Sequence, residues 1–212
     1  MLSAYKNNLT ELHPDQALQF LMDGNTRFVN GLSRNRDPLK DVKQTEHQQQ
    51  PFAVVLSCMD SRTPVETIFD QGIGDLFSVR IAGNVLSPNV LGSLEYAIGI
   101  VGSKVLVVMG HTNCGAVKGA CDGVTLGHLT ELLDKIKPAI NMESDTTENR
   151  TGANTNFVNR VSQLNVAHTI QEILEQSTII REAVASAKVK IVPAMYQVAT
   201  GAVEFIEETV AG

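Results

Sequence analysis

No apolar run in this sequence approaches the roughly 18 to 20 residues that a membrane helix requires, so a membrane protein is excluded. Basic residues are in deficit, 17 Lys and Arg against 23 Asp and Glu, for a net charge of −6. That leaves no basic footprint for nucleic acid and no polybasic stretch for a lipid headgroup. Cysteine is scarce. Three are present, an odd number without a Cys-x-x-Cys pair, which argues against a disulfide scaffold or a thioredoxin-like couple. Residues 1–8 lack the apolar core of a secretion signal, so the expected location is cytoplasmic, where reduced thiols are free for other chemistry. What is there is a globular composition, 43% hydrophobic and 19% charged over 212 residues. A chain of that length suits one ordinary domain or two very small ones and can bury roughly 70% of its unfolded surface. With no repeat, low-complexity tract or boundary visible, the expectation is a single domain over residues 1–212. Its first 50 residues would form an N-terminal helix and a polar arm.

The pattern of apolar residues gives the fold class. After His13-Pro14-Asp15, the residues Leu18, Leu21, Met22 and Phe28 recur at helical spacing, predicting an amphipathic helix that ends near Gly31. Residues 33–50 are polar and read as a connecting arm. Phe52 to Ser57, Leu76 to Ile81, Val105 to Met109 and Lys188 to Tyr196 are short apolar runs without polar alternation. Such runs suit strands buried on both faces of a parallel sheet. Helical patterns separate them, at 89–100 after Pro88, at 126–140 and at 157–176. The stretch 141–156 is polar and reads as an exposed loop. Alternating strands and helices predict an α/β fold: a central, mostly parallel sheet flanked by helices, with an N-terminal helical arm and sites at the carboxyl ends of the strands. The first helix has an apolar stripe followed by the polar arm, and is expected to wrap a neighbouring subunit.

Two clusters carry chemistry. Ser57-Cys58-Met59-Asp60-Ser61-Arg62 follows the first buried strand, and Gly110-His111-Thr112-Asn113-Cys114-Gly115 follows another. Cys58, His111 and Cys114 make a Cys₂His set, and three protein ligands leave the fourth position of tetrahedral zinc free, the mark of a catalytic site. The plainer alternative is two small buried cysteines beside a satisfied edge histidine. Cys121 has no acid or histidine at ligand spacing and reads as structural, while His13, His47, His128 and His168 read as surface or loop residues. Rival motifs fail. Gly110 to Gly115 has the gap of a phosphate loop, but Ala116 and Val117 stand where Lys and Ser/Thr are needed. Neither the His-x-Glu and Cys-x-x-Cys of a zinc deaminase nor a Gly-x-Ser-x-Gly elbow occurs.

Cys58-x-Asp60-Ser61-Arg62 followed by His111-x-x-Cys114-Gly115 resembles the β-class carbonic anhydrases, and the likeness extends from Gly24-Asn25-Thr26-Arg27-Phe28 to the last strand. The resemblance implies one zinc per chain on Cys58, His111 and Cys114, a homodimer or larger assembly, and reversible hydration of carbon dioxide to bicarbonate and a proton. Asp60 and Arg62 match the dyad beside the metal. Gln49, Phe77, Ala82, Tyr96 and Gly115 match substrate-binding positions of the plant-like branch, where the family often has Val in place of Ala82. The branch that blocks its own metal carries Trp just before the first cysteine ligand. This chain has Val55 there and no Trp at all. The implied site is therefore open.

The implied mechanism uses a zinc-bound hydroxide, available near neutrality as in carbonic anhydrases with three histidine ligands. Two thiolates and a neutral imidazole cancel the zinc charge, so this centre should be the weaker Lewis acid and need higher pH. Asp60 would accept the hydroxide's hydrogen bond, and Arg62 would hold Asp60 ionised and off the metal. Two other functions fit the ligand set: hydrolysis of carbon disulfide or carbonyl sulfide, and a non-catalytic zinc or bicarbonate sensor. The joint presence of Gln49, Asp60 and Arg62 disfavours the sensor.

Overall fold

Four parallel strands stand in the order β2-β1-β3-β4, and a short fifth runs antiparallel on the outer edge of β4. They are β1 (Ala53–Ser57), β2 (Leu76–Arg80), β3 (Val105–His111), β4 (Lys190–Tyr196) and β5 (Val203–Phe205). The structure is a computed structural model and describes residues 9–206. All residues of β1 and β3 are buried, as their unbroken apolar runs require. Alternate side chains serve opposite faces. Ala53, Val55, Val105, Val107 and Met109 pack into one core, and Val54, Leu56, Leu106 and Val108 into the other.

The first core is closed by α1 (Pro14–Val29) and the single turn α3 (Val65–Ile68). α1 starts on a capping box: the His13 side chain accepts from the Asp15 amide, and Gln16 reaches back to the His13 amide. Ala17 and Leu21 are buried against the sheet of the same chain. Gly24 permits that approach, since a Cβ there would lie 1.8 Å from the Phe69 carbonyl oxygen. Asn25 then ties the helix to α3 and to the turn before β5, donating to Ile68 O and Gly201 O and accepting from the Val203 amide. The expected embrace of a neighbour is thus corrected for α1, whose stripe docks in cis. The arm contains a helix of its own, α2 (Pro38–Thr45), started by Asp37 accepting from Leu39 and Lys40 amides, with no buried residue.

The second core is closed by α4 (Pro88–Glu95), which runs on as a π-helical turn (Tyr96–Val101), by α8 (Thr155–Gln176) and by α9 (Thr178–Ala185). Between the carboxyl ends of the strands and α8 lies a third cluster. It is built on α5 (Gly115–Cys121), α6 (Gly127–Asp134) and α7 (Lys137–Met142) and contains Cys58 and Cys114.

Several expectations change. β2 is an edge strand with no fully buried residue, because among the described residues only β1 pairs with it. The 126–140 stripe is two helices broken before Pro138, and Leu126 points to solvent. The loop at 141–156 is anchored rather than free: Glu143 is buried and bound by Arg150 and Thr146. β5, α3 and α9 were too short, or too weakly patterned, to read from sequence.

Candidate metal centre

Parallel pairing brings the ligands together. Ser57 stands opposite Met109 in the β1–β3 register, so Cys58 leaves one strand beside the end of its neighbour, where His111 is the last residue of β3. A tight turn follows, with Asn113 in the left-handed region (φ 56°) and its amide bound to Asn159 Oδ1 of α8. Cys114 then caps α5. Cys58, His111 and Cys114 are all buried, and their ligand atoms lie within 4.8 Å of one another.

The donor set fits zinc. Zn–S bonds of about 2.3 Å at a tetrahedral angle put two sulfurs roughly 3.8 Å apart, and Cys58 Sγ and Cys114 Sγ are 3.9 Å apart. His111 Nδ1 lies 3.0 Å from the Thr112 carbonyl oxygen, an acceptor, so Nδ1 carries the proton. That leaves Nε2 with a free lone pair, and Nε2 is a buried atom with no hydrogen-bond partner among the described residues. An orphan acceptor between two thiols is what a cation ligand looks like before the cation is counted. The Cys58 thiol is strongly acidified, chiefly by the Cys114 thiol donating to it. Cys114 itself is pushed far up by sharing its proton with Cys58 and by burial.

Asp60 and Arg62 form a planar fork at the rim. Arg62 Nε donates to Asp60 Oδ1 (2.9 Å), Nη2 to Oδ2 (2.7 Å), and the Arg62 amide to Oδ1 (2.9 Å). Those bonds hold the Asp60 carboxyl well below the usual carboxylate range. Its Oδ2 stays 3.9 Å from His111 Nε2.

Of the five substrate-binding positions expected, the structure places two against the cluster. Ala82 is in the 3₁₀ turn Ala82–Asn84, whose Gly83 amide donates to Cys58 Sγ (3.4 Å), and Gly115 opens α5 beside Cys114. Phe77 and Tyr96 meet edge-to-face at 6.1 Å and line a groove of ≈ 650 Å³ beside the β2 edge, with Val79, Pro88 and Asn89; no ligand residue lines it. Gln49 is exposed between α2 and β1. Cys121 is half-buried and off the cluster, its thiol raised by burial to about 11, as suits a structural residue.

Sequence reading missed Arg80, whose guanidinium donates to Cys58 O (3.2 Å) and Asp60 O (2.5 Å) and so clamps the loop from below. It also missed Thr63, donating to Cys58 O and Asp60 O, and Asn165 of α8. The one sequence signal for the last was a polar stripe, Ser162, Asn165 and Thr169, at helical spacing inside an otherwise apolar pattern.

Residues 53–203 match the family model described as carbonic anhydrase. The chain is similar to carbonic anhydrase 2 of Mycobacterium tuberculosis, 35% identical over 89% of this chain and 91% of that protein. Among solved structures it resembles the β-carbonic anhydrase CafA of Aspergillus fumigatus, at TM-score 0.68 and 26% identity over 80% of this chain and 81% of that one. It also resembles a tetrameric β-carbonic anhydrase of Sordaria macrospora, at TM-score 0.66 and 25% identity over 90% and 97%.

Proposed function

The chain belongs to the β-carbonic anhydrase family, and from that premise we propose that it catalyses reversible hydration of carbon dioxide to bicarbonate and a proton with one zinc on Cys58, His111 and Cys114. The carrying observation is the buried Nε2 of His111, without a hydrogen-bond partner, in a cluster with two sulfurs at zinc spacing. When bound there, zinc supplies the Lewis acidity that turns water into a nucleophile near neutral pH.

The residues around it divide the remaining work. Thr112 O fixes the His111 ring, which would leave Nε2 as the nitrogen that holds the zinc. Asp60 is an acceptor only, being ionised throughout the neutral range, and its Oδ2 sits at the rim to take the hydrogen bond of the attacking oxygen. Accepting that bond aims a lone pair at the carbon of carbon dioxide. Arg62 satisfies the rest of the carboxylate and keeps it from moving in as a fourth ligand. Ala82 and Gly115 border the reacting space; Phe77, Tyr96 and Gln49 stand away from it within one chain and are proposed to complete such a space only across a contact between subunits.

The working form is a homo-oligomer, at least a dimer. In its support, β2 presents an unpaired edge, and apolar side chains beside it and on the arm stand in water, among them Tyr96, Ile100 and Leu39. The Sordaria relative is tetrameric. Among the described residues no helix is long and apolar enough to cross a membrane, and a cytoplasmic location is proposed. The test is turnover of carbon dioxide after metal removal and zinc return, with carbonyl sulfide and carbon disulfide assayed alongside. Zinc-restored hydration supports this function, hydrolysis of the sulfur compounds alone points to the related hydrolase, and zinc binding without turnover points to a sensor.

A further inference from the structure

Metal–thiolate bonds depend on the hydrogen bonds the sulfurs receive, because a donor disperses the thiolate charge and fixes the direction of its lone pairs. Cys58 Sγ receives one from the Gly83 amide at 3.4 Å. That amide lies in an improbable piece of backbone. Gly83 (φ 68°) and Asn84 (φ 45°) are consecutive left-handed residues, and the second is not glycine. Asparagine enters that region more readily than other non-glycine residues, so Asn84 suits the turn, whose carbonyls still have to be held by its surroundings.

The surroundings are α8. Asn165 Nδ2 donates to the Gly83 carbonyl oxygen at 2.8 Å, and Thr169 Oγ1 reaches the Asn84 carbonyl oxygen at 3.4 Å. Both side chains are buried, on a helix face whose other buried members, Ser162 apart, are apolar, among them Val158, Val161, Val166 and Ile170. An amide at that position is costly to desolvate and adds nothing to packing that a leucine would not. Asn165 is also more than eighty residues from the turn it holds, so no local requirement of the helix accounts for it.

We propose that Asn165 is a positioning residue of the metal centre, holding the Ala82–Asn84 turn so that the Gly83 amide is aimed at Cys58 Sγ. The inference rests on the zinc reading for its consequence, though not for its geometry. Thr169 seconds it on the next carbonyl. Ser162, equally buried on the same face, bonds only the Val158 carbonyl of its own helix. Ser162→Ala is therefore the matched control for loss of a buried polar group.

The experiment compares full-length Asn165→Ala, Thr169→Val and Ser162→Ala with the parent chain. Three readouts apply: zinc release to a chelator, the thiolate-to-cobalt charge-transfer band after cobalt substitution, and amide hydrogen exchange at Gly83 in the metal-free protein. Asn165→Ala should release zinc about tenfold faster, shift the charge-transfer band, and speed Gly83 exchange by a similar factor. Thr169→Val should do the same to a smaller degree, and Ser162→Ala should do none of it at a comparable melting temperature. Wild-type zinc release, band position and exchange in a folded Asn165→Ala would overturn the proposal. If Asn165→Ala does not fold, Thr169→Val decides on the same criteria. Should the parent chain bind neither zinc nor cobalt, the zinc reading fails, and Gly83 exchange in the metal-free protein still decides whether Asn165 positions the turn.

Discussion

Arg62 grips Asp60 through both carboxylate oxygens, at 2.9 and 2.7 Å, and so points the acid along the rim of the ligand cluster instead of into it. A bidentate guanidinium–carboxylate pair of this kind fixes orientation as well as charge. Asp60→Asn should keep zinc content while lowering kcat roughly 10²-fold or more. Arg62→Lys, which keeps the charge and loses the fork, should fall between that variant and the parent. Parental turnover in Asp60→Asn, measured by stopped-flow hydration, would remove Asp60 from the mechanism.

The same pair has a pH signature. Its hydrogen bonds with Arg62 lower the folded-state pKa of Asp60. A lowered carboxylate pKa contributes stability that is complete above the unfolded value of about 3.9 and is lost as pH falls through and below it. The stability advantage of the parent over Asp60→Asn should therefore shrink in acid, from about pH 4 downward. A gap that stays constant from neutrality to about pH 2 in chemical denaturation would contradict the assignment.

Because Asp60 stays ionised and engaged by Arg62, activity should rise smoothly from neutral to mildly alkaline pH, without a steep cooperative onset. An experimental structure near pH 8 with an Asp60 oxygen roughly 2.0–2.2 Å from zinc would show the self-blocked arrangement instead.

Cys114→Ser replaces a thiolate by a neutral hydroxyl, a far poorer zinc ligand. Most of the zinc and nearly all of the activity should go. Elemental analysis showing one zinc per chain in this variant would refute the ligand set.

Gly24→Ala tests the cis docking of α1. A Cβ there would fall 1.8 Å from Phe69 O, a backbone atom that cannot step aside, so the cost should be at least about 1–3 kcal/mol. An unchanged urea midpoint would mean that α1 does not seat as described.

Assembly is open to direct measurement. Sedimentation should give a dimer or larger species, and a stable monomer with full activity would show that the β2 edge needs no partner.

Much was legible in the residues alone. Unbroken apolar runs at β1 and β3 identified buried parallel strands, because a strand covered on both faces leaves no position for polar alternation. The proposed ligand set followed from Cys58, His111 and Cys114 lying just past such strands, where the structure brings them together. Chemistry of that kind is local: each motif sits on one turn, and the donor types are those that suit zinc. Helix α1 was legible too, but not its docking site, since an apolar stripe says that a face is buried and not against what. Only the tertiary structure decided that Gly24 lets α1 onto its own sheet. It alone decided that β2 is an edge, that Arg80 clamps the Cys58–Thr63 loop, and that Asn165 reaches across the fold to Gly83. Those are contacts between residues far apart in the chain, and a sequence carries no record of which distant amide will face which carbonyl until packing sets the distance.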